Sequence, residues 1–295
     1  MPAPRDRPGR ESAHDWLERI RTECHRSPCP RRHAGYGAAP CASCPHPDPL
    51  CFLYAYPDVR DREIAGLLAS ALAYGNVKAI LRSVGRALAP LGPHPAARVR
   101  AARSRGELEG LHPGFRHRWT TGADLAQLLW AARELLLAHG SLEAAFARGM
   151  EAGDRDASRG LSRFVREIRR RAPGLDGTGL LPDPADGSAC KRLQLYLRWM
   201  VRCDEVDPGG WTCLRPAQLL IPLDVHVFRI AKTRLHFTRR AQPDLKAALE
   251  ITRRFAELAP EDPLRYDYSL SHWGMSKGDR EERGQGSGFR VQAGS

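Results

Sequence analysis

The chain reads as an all-α protein, and three observations point there. Apolar residues recur at three- and four-residue intervals over most of the length, which gathers them on one face of a helix. No run of β-branched residues alternates with polar ones for long enough to build a sheet of any size. Proline and glycine fall between the periodic stretches, where they end helices. With 42% apolar and 27% charged residues, the 295-residue chain has the material for a core, as one large domain or as two lobes.

Taken in order, Ser12 is placed to cap a helix carrying Trp16, Leu17 and Ile20. The stretch from Val59 to Tyr74 puts Ile64, Leu67, Leu68, Ala71 and Leu72 on one face, and Gly75 offers the stop. A second helix runs from Val77 to Leu88 and ends at Pro90-Leu91-Gly92-Pro93. Leu125, Leu128, Leu129, Ala132, Leu135 and Leu136 mark a strong helix with Trp130 in its core; Gly140 closes it, and Leu142 to Ala147 begins another. Leu161, Phe164, Val165 and Ile168 face inward on the next, which Pro173 ends. Later helices are expected from about Cys190 to Cys203, Asp224 to Leu235 and Leu245 to Leu258. This divides the chain into an amino-terminal helix with a Cys/Pro-rich arm (1–50), a two-lobed helical body (51–275) and a glycine-rich polar tail read as disordered (276–295).

The longest apolar stretch, Ile64 to Gly75, is twelve residues. A membrane span needs ~20, so none is expected. Met1 to Arg10 is polar and lacks the apolar centre of a secretory signal, which points to the cytoplasm. The formal charge of +12 has two readings, an anionic partner such as nucleic acid or the arginine-rich usage of a GC-rich genome. Only five of the 46 basic residues are lysines, so each lysine is worth inspecting.

Cys24, Cys29, Cys41 and Cys44 crowd the arm with His25, His33 and His46. A reducing compartment disfavours structural disulfides. The four thiols then read either as a structural zinc clip, with a C-x-x-C pair at Cys41 and Cys44, or as free thiols in a flexible insertion.

Two loops carry the chemistry. The first, from Leu180 to Lys191, passes through proline and glycine turns and delivers Lys191 at a helix start, where unpaired N–H groups attract phosphate. Projection at 100° per residue buries Leu193, Leu197 and Met200 and sets Lys191, Leu195, Arg198 and Arg202 on the opposite stripe, which by itself describes a solvated basic face. The second loop, Leu220-Ile221-Pro222-Leu223-Asp224, brings Asp224 to a helix start, with His226 and Arg229 following; an ordinary N-cap accounts for the aspartate as well.

A helix-opening lysine followed by a P-x-D-x-H-V-x-R helix start resembles the helix-hairpin-helix base-excision DNA glycosylases, nearest the archaeal 8-oxoguanine glycosylase branch. The stretches DPLCFLYAYPDVRDREIAGLLASALAYGNVKAILRSV, GSACKRLQLYLRWMVRCDEVDPGGW and IPLDVHVFRIAK look more closely like a widespread family of uncharacterised bacterial proteins, over Asp48 to Lys277. Two departures stand out. The G-x-G hairpin is replaced by Pro182-Asp183-Pro184 and Gly187-Ser188, and no cysteine follows Cys213 to hold an iron–sulfur cluster.

The resemblance implies a two-lobed glycosylase-like fold with a basic cleft, a monomer binding duplex DNA with a damaged base flipped out. It implies no cofactor for catalysis. Lys191 would attack the sugar and Asp224 would stabilise positive charge on the deoxyribose. Arg192 and Arg198 would favour loss of the lysine's proton. Trp273 would stack on the flipped base, and Gly187, Ser188, Arg198, His226 and Arg229 would contact the substrate. The implied activity is excision of an oxidised base through a lysine Schiff base, with lyase activity. The alternative is a non-catalytic nucleic-acid-binding protein of the same fold.

Overall fold

The computed structural model describes residues 11–25 and 48–281, with side chains through Met275. Within them α1 (Ala13–His25), α2 (Val59–Ala71), α3 (Val77–Leu88), α4 (Pro95–Ala101) and α5 (Arg105–Gly110) precede a small hairpin, β1 (Arg116–His117) and β2 (Thr120–Thr121). Then follow α6 (Gly122–His139), α7 (Leu142–Ala147), α8 (Ser158–Arg171), α9 (Lys191–Val201), α10 (Val225–Thr233), α11 (Leu245–Leu258) and α12 (Asp267–Glu281). The hairpin pairs Arg116 with Thr121 and His117 with Thr120, so the protein is mostly helical, as its periodicity predicts. No described helix is long and apolar enough to cross a membrane.

The caps follow the chemistry of helix ends. Ser12 Oγ accepts the Asp15 amide at 3.1 Å, Asp58 caps α2, and Thr121 with Asp124 forms a reciprocal capping box on α6. Gly140 closes α6 at φ 84°, a left-handed residue that glycine adopts without steric penalty. Trp130 is half-buried against the core, with the Arg133 guanidinium 4.6 Å from its ring centre.

Three differences from the sequence reading have physical causes. The α2 helix stops at Ala71, three residues early, and leaves Tyr74 free to donate its hydroxyl to the His117 carbonyl at 2.8 Å. The α4 and α5 helices are too short to display a period. The third concerns the tail, whose expected start at residue 276 falls inside α12; the backbone stays helical through Glu281. Apolar residues are sparse there, but α12 is held by close approach to α10. A Cβ on Gly274 would lie 2.9 Å from the His226 Cβ.

The apolar side chains form two cores. The larger takes the 3-10 segment Pro49–Ala55 and α2 to α9, with Tyr196, Trp199 and Trp211 at its carboxy-terminal end. The smaller joins Trp16, Leu17 and Ile20 of α1 to α10, α11 and α12. Ala189 and Leu223, the residues just ahead of the α9 and α10 caps, belong to the smaller core, while α9 itself lies in the larger. Both loops picked out by their chemistry therefore run where the two cores meet.

Candidate functional site

The α9 helix opens without a side-chain cap. Cys190 sits at its cap position in a left-handed conformation, φ 49°, with its thiol donating to the Pro182 carbonyl at 3.3 Å. That turn delivers Lys191 as the first helical residue. The α10 helix opens on Asp224, whose Oδ1 accepts the His226 and Val227 amides at 2.9 and 2.8 Å. Its other oxygen is left for a second partner. Lys191 Nζ lies 3.3 Å from Asp224 Oδ2, with the lysine side chain 38% exposed and the aspartate 14%. Two residues 33 positions apart thus converge at the junction of the cores, partly open to water.

The surroundings of the pair are more acidic than the sequence suggests. Asp48, the cap of the 3-10 segment, lies within electrostatic reach of Lys191 and Arg198; burial pushes its carboxyl up, against the pull of both cations. Asp267, at the start of α12, is fully buried. Desolvation pushes its carboxyl up to about 6, with Arg198 opposing and the Asp224 charge adding to the rise. Sequence reasoning missed both. Asp48 falls in the stretch assigned to the arm, and Asp267 precedes a helix with little periodicity.

Arg198 is not a substrate contact. Its side chain is 2% exposed and bonds Asp267 at 2.5 Å and Asp207 at 3.1 Å. Arg202 is equally buried, paired with Asp207, with Asp204 at 2.6 Å and with Asp262 at 2.9 Å. The stripe read as a solvated basic face is instead a buried ionic seam. Helical projection identifies a face but not what packs on it, and here aspartates from the following loop and α12 cover the arginines. Arg192 is likewise committed, donating to the Ala71 carbonyl at 2.8 Å and to the Gly179 carbonyl.

The remaining expected contacts divide. His226 stays beside the pair on the first turn of α10, its Nδ1 buried without a hydrogen-bond partner among the described residues. Arg229 is half-buried one turn on. Gly187 and Ser188, expected to contact the substrate, sit in a turn tied to the start of α11. The Gly187 amide donates to Pro184, its carbonyl accepts the Leu245 amide at 2.9 Å, and Ser188 bridges to Asp244. Trp273, expected to stack on a base, is half-buried: it meets Trp16 edge-on at 5.1 Å and flanks the smaller core, with Arg234 over both rings. Of the proposed zinc ligands, Cys24 ends half-buried near the close of α1, and Cys29, Cys41 and Cys44 lie outside the described residues. No three His, Cys, Asp or Glu side chains gather as a metal-holding group among the described residues.

A second polar feature went unforeseen because its key residue, directly ahead of the apolar stretch of α2, carries no motif. Glu63 is fully buried and accepts from the Leu142 amide at 2.8 Å, the Glu143 amide at 2.7 Å and the Trp211 indole at 2.9 Å. Burial pushes its carboxyl up to about 7 against those three donors. It lines an open depression with Arg60, His139, Ser141 and Glu143.

No curated protein and no solved structure matches the chain. One family model does, over residues 48–276, and that span holds Asp48, Lys191, Asp224 and Asp267 together. On that match the chain belongs to the family described as protein of unknown function DUF2400.

Proposed function

We propose that this protein is a cytoplasmic DNA-repair glycosylase with lyase activity, acting as a monomer on duplex DNA from which an oxidised base such as 8-oxoguanine is flipped out. The observation that carries the reading is the 3.3 Å approach of the Lys191 amine to the Asp224 carboxylate, half-open to water between two helical cores. A glycosylase-like arrangement would lay the duplex along a basic cleft there.

The chemistry follows from the two groups. Breaking the N-glycosidic bond develops positive charge on the sugar, and Asp224, fixed by two backbone amides, is an anion placed to stabilise it. The Lys191 amine, having given up its proton, forms a bond to C1′ as the base leaves with the glycosidic electron pair and takes up a proton. Opening of the sugar gives a Schiff base, and abstraction of a C2′ proton then expels the 3′ phosphate.

The second reading is a nucleic-acid-binding protein without this chemistry. It is favoured by the capping bonds of Asp224, which would make the ion pair a strut between α9 and α10. Borohydride trapping separates the two. Wild-type protein should form a covalent adduct with duplex DNA bearing 8-oxoguanine or an abasic site, and Lys191→Gln should form none. An adduct that survives the substitution removes Lys191 from the scheme; absence of an adduct with the wild-type protein leaves the binding reading.

A further inference from the structure

The β1–β2 hairpin holds its two-residue tip, Arg118-Trp119, out from the larger core. Among the described residues with large exposed apolar side chains, Trp119 is the one aromatic, at 52% exposure. A tryptophan left in water by chance is free to swing, but this one is held. Its indole stacks on the Tyr74 ring at 4.4 Å between centres and 20° between planes. Tyr74 is itself locked: its hydroxyl donates to the His117 carbonyl and accepts from Thr120 Oγ1 at 2.7 Å, and the His117 imidazole stands edge-on to it at 4.6 Å.

The surroundings are cationic. Arg118, exposed and in no ion pair among the described residues, places its guanidinium 5.0 Å from the Trp119 ring centre. It lies against Gly75, next to Tyr74, so the tip is seated on the turn that follows α2. With these two partners in place Trp119 still keeps 52% of its surface in water, which leaves area for a further ring. Arg192, the neighbour of Lys191 in α9, lies 5.0 Å from the Tyr74 ring centre. A column Trp119–Tyr74–Arg192 therefore leads from the hairpin tip to the helix start that carries the lysine.

We infer that Trp119 is a stacking platform for an unpaired base of a nucleic-acid strand, with Arg118 taking the adjoining phosphate. A flat, immobilised π-surface beside a free guanidinium is the recurring device for binding bases irrespective of sequence. Because Tyr74 already fixes the indole, little side-chain freedom is lost on binding. The inference presupposes the nucleic-acid partner proposed above but not the Lys191 chemistry, so the two can fail separately.

The test is fluorescence anisotropy with a labelled 20-nucleotide DNA strand, the same strand annealed to its complement, and an RNA strand of the same sequence. Trp119→Ala should weaken single-strand binding by about 5- to 100-fold and leave duplex binding within about twofold. Trp119→Phe, which keeps an aromatic face and controls for folding, should retain most of the affinity. Arg118→Ala should flatten the dependence of log affinity on log salt. The DNA and RNA arms identify which strand is preferred. Unchanged single-strand affinity in Trp119→Ala, equal losses on duplex and single strand, Trp119→Phe as weak as the alanine variant, or no wild-type binding to either strand would each overturn the platform. An adduct with an unaffected Trp119→Ala leaves the glycosylase standing alone; a weakened Trp119→Ala without any adduct leaves the platform standing alone.

Discussion

Asp224 performs two tasks with two oxygens, and a single substitution separates them. Asn keeps an oxygen for the His226 and Val227 amides and caps helices as well as Asp, while the negative charge facing Lys191 is lost. Asp224→Asn should therefore melt within a few degrees of wild type and retain DNA affinity, yet release a damaged base about 10- to 1000-fold more slowly. Single-turnover excision with a parallel thermal melt checks this; equal losses of stability and binding would mark Asp224 as a cap and nothing more. At this scale the helix-start position of each residue was legible, Lys191 from a proline- and glycine-rich approach and Asp224 from the proline two residues ahead of it, whereas their pairing was expected only from the resemblance to glycosylases. Arg198 was not legible. Its four neighbours in sequence describe a helix face, whereas its environment is set by Asp267, 69 positions away.

Among the elements, α9 and α12 are fastened by that buried ion pair. A buried guanidinium with two carboxylates contributes little beyond an apolar replacement, but removing one partner strands the other charges in a desolvated site. Arg198→Ala should lower the unfolding free energy by ~3–5 kcal/mol. Arg170→Ala, which removes a 70% exposed arginine from its pair with Glu167 one turn away, should lose no more than about 1 kcal/mol. Urea denaturation of both variants makes the comparison, and similar midpoints would refute a structural role for the seam. Helices with strong caps and a regular apolar stripe, such as α3 and α11, were readable from sequence to within a residue or two of their ends, and α6 at its Gly140 end. By contrast, α12 was missed altogether in that reading because its fit depends on Gly274 meeting α10, and a tertiary contact leaves no periodic trace.

For the whole molecule, the balance of buried carboxylates sets a pH dependence. Glu63 is pushed from 4.5 to about 7 by burial, so between those values the folded protein holds a proton that the unfolded chain releases. Stability from this group is fully present below pH 4.5 and is lost as pH rises through 7, by up to about 3 kcal/mol at 1.36 kcal/mol per unit. Asp267, raised to about 6, acts in the same direction at lower pH. Denaturation of wild type at pH 5 and pH 7.5 should show the loss, and Glu63→Gln should flatten it; a slope unchanged in the variant would acquit Glu63. The all-helical class was evident from periodicity. Two lobes were expected only from the resemblance, and that α1 joins the last three helices rather than the arm was not expected, because it depends on contacts spanning nearly the entire chain.

That last contact has a consequence for biosynthesis. Trp16 of α1 meets Trp273 of α12, 257 positions later. At ribosomal speeds of ~5–20 residues per second, the first helix emerges roughly ten to fifty seconds before the strip it adheres to. Throughout that wait Trp16, Leu17 and Ile20 form an uncovered greasy edge on the nascent polypeptide. Helix α1 is thus made long before the strip it adheres to and is among the later elements to find its place.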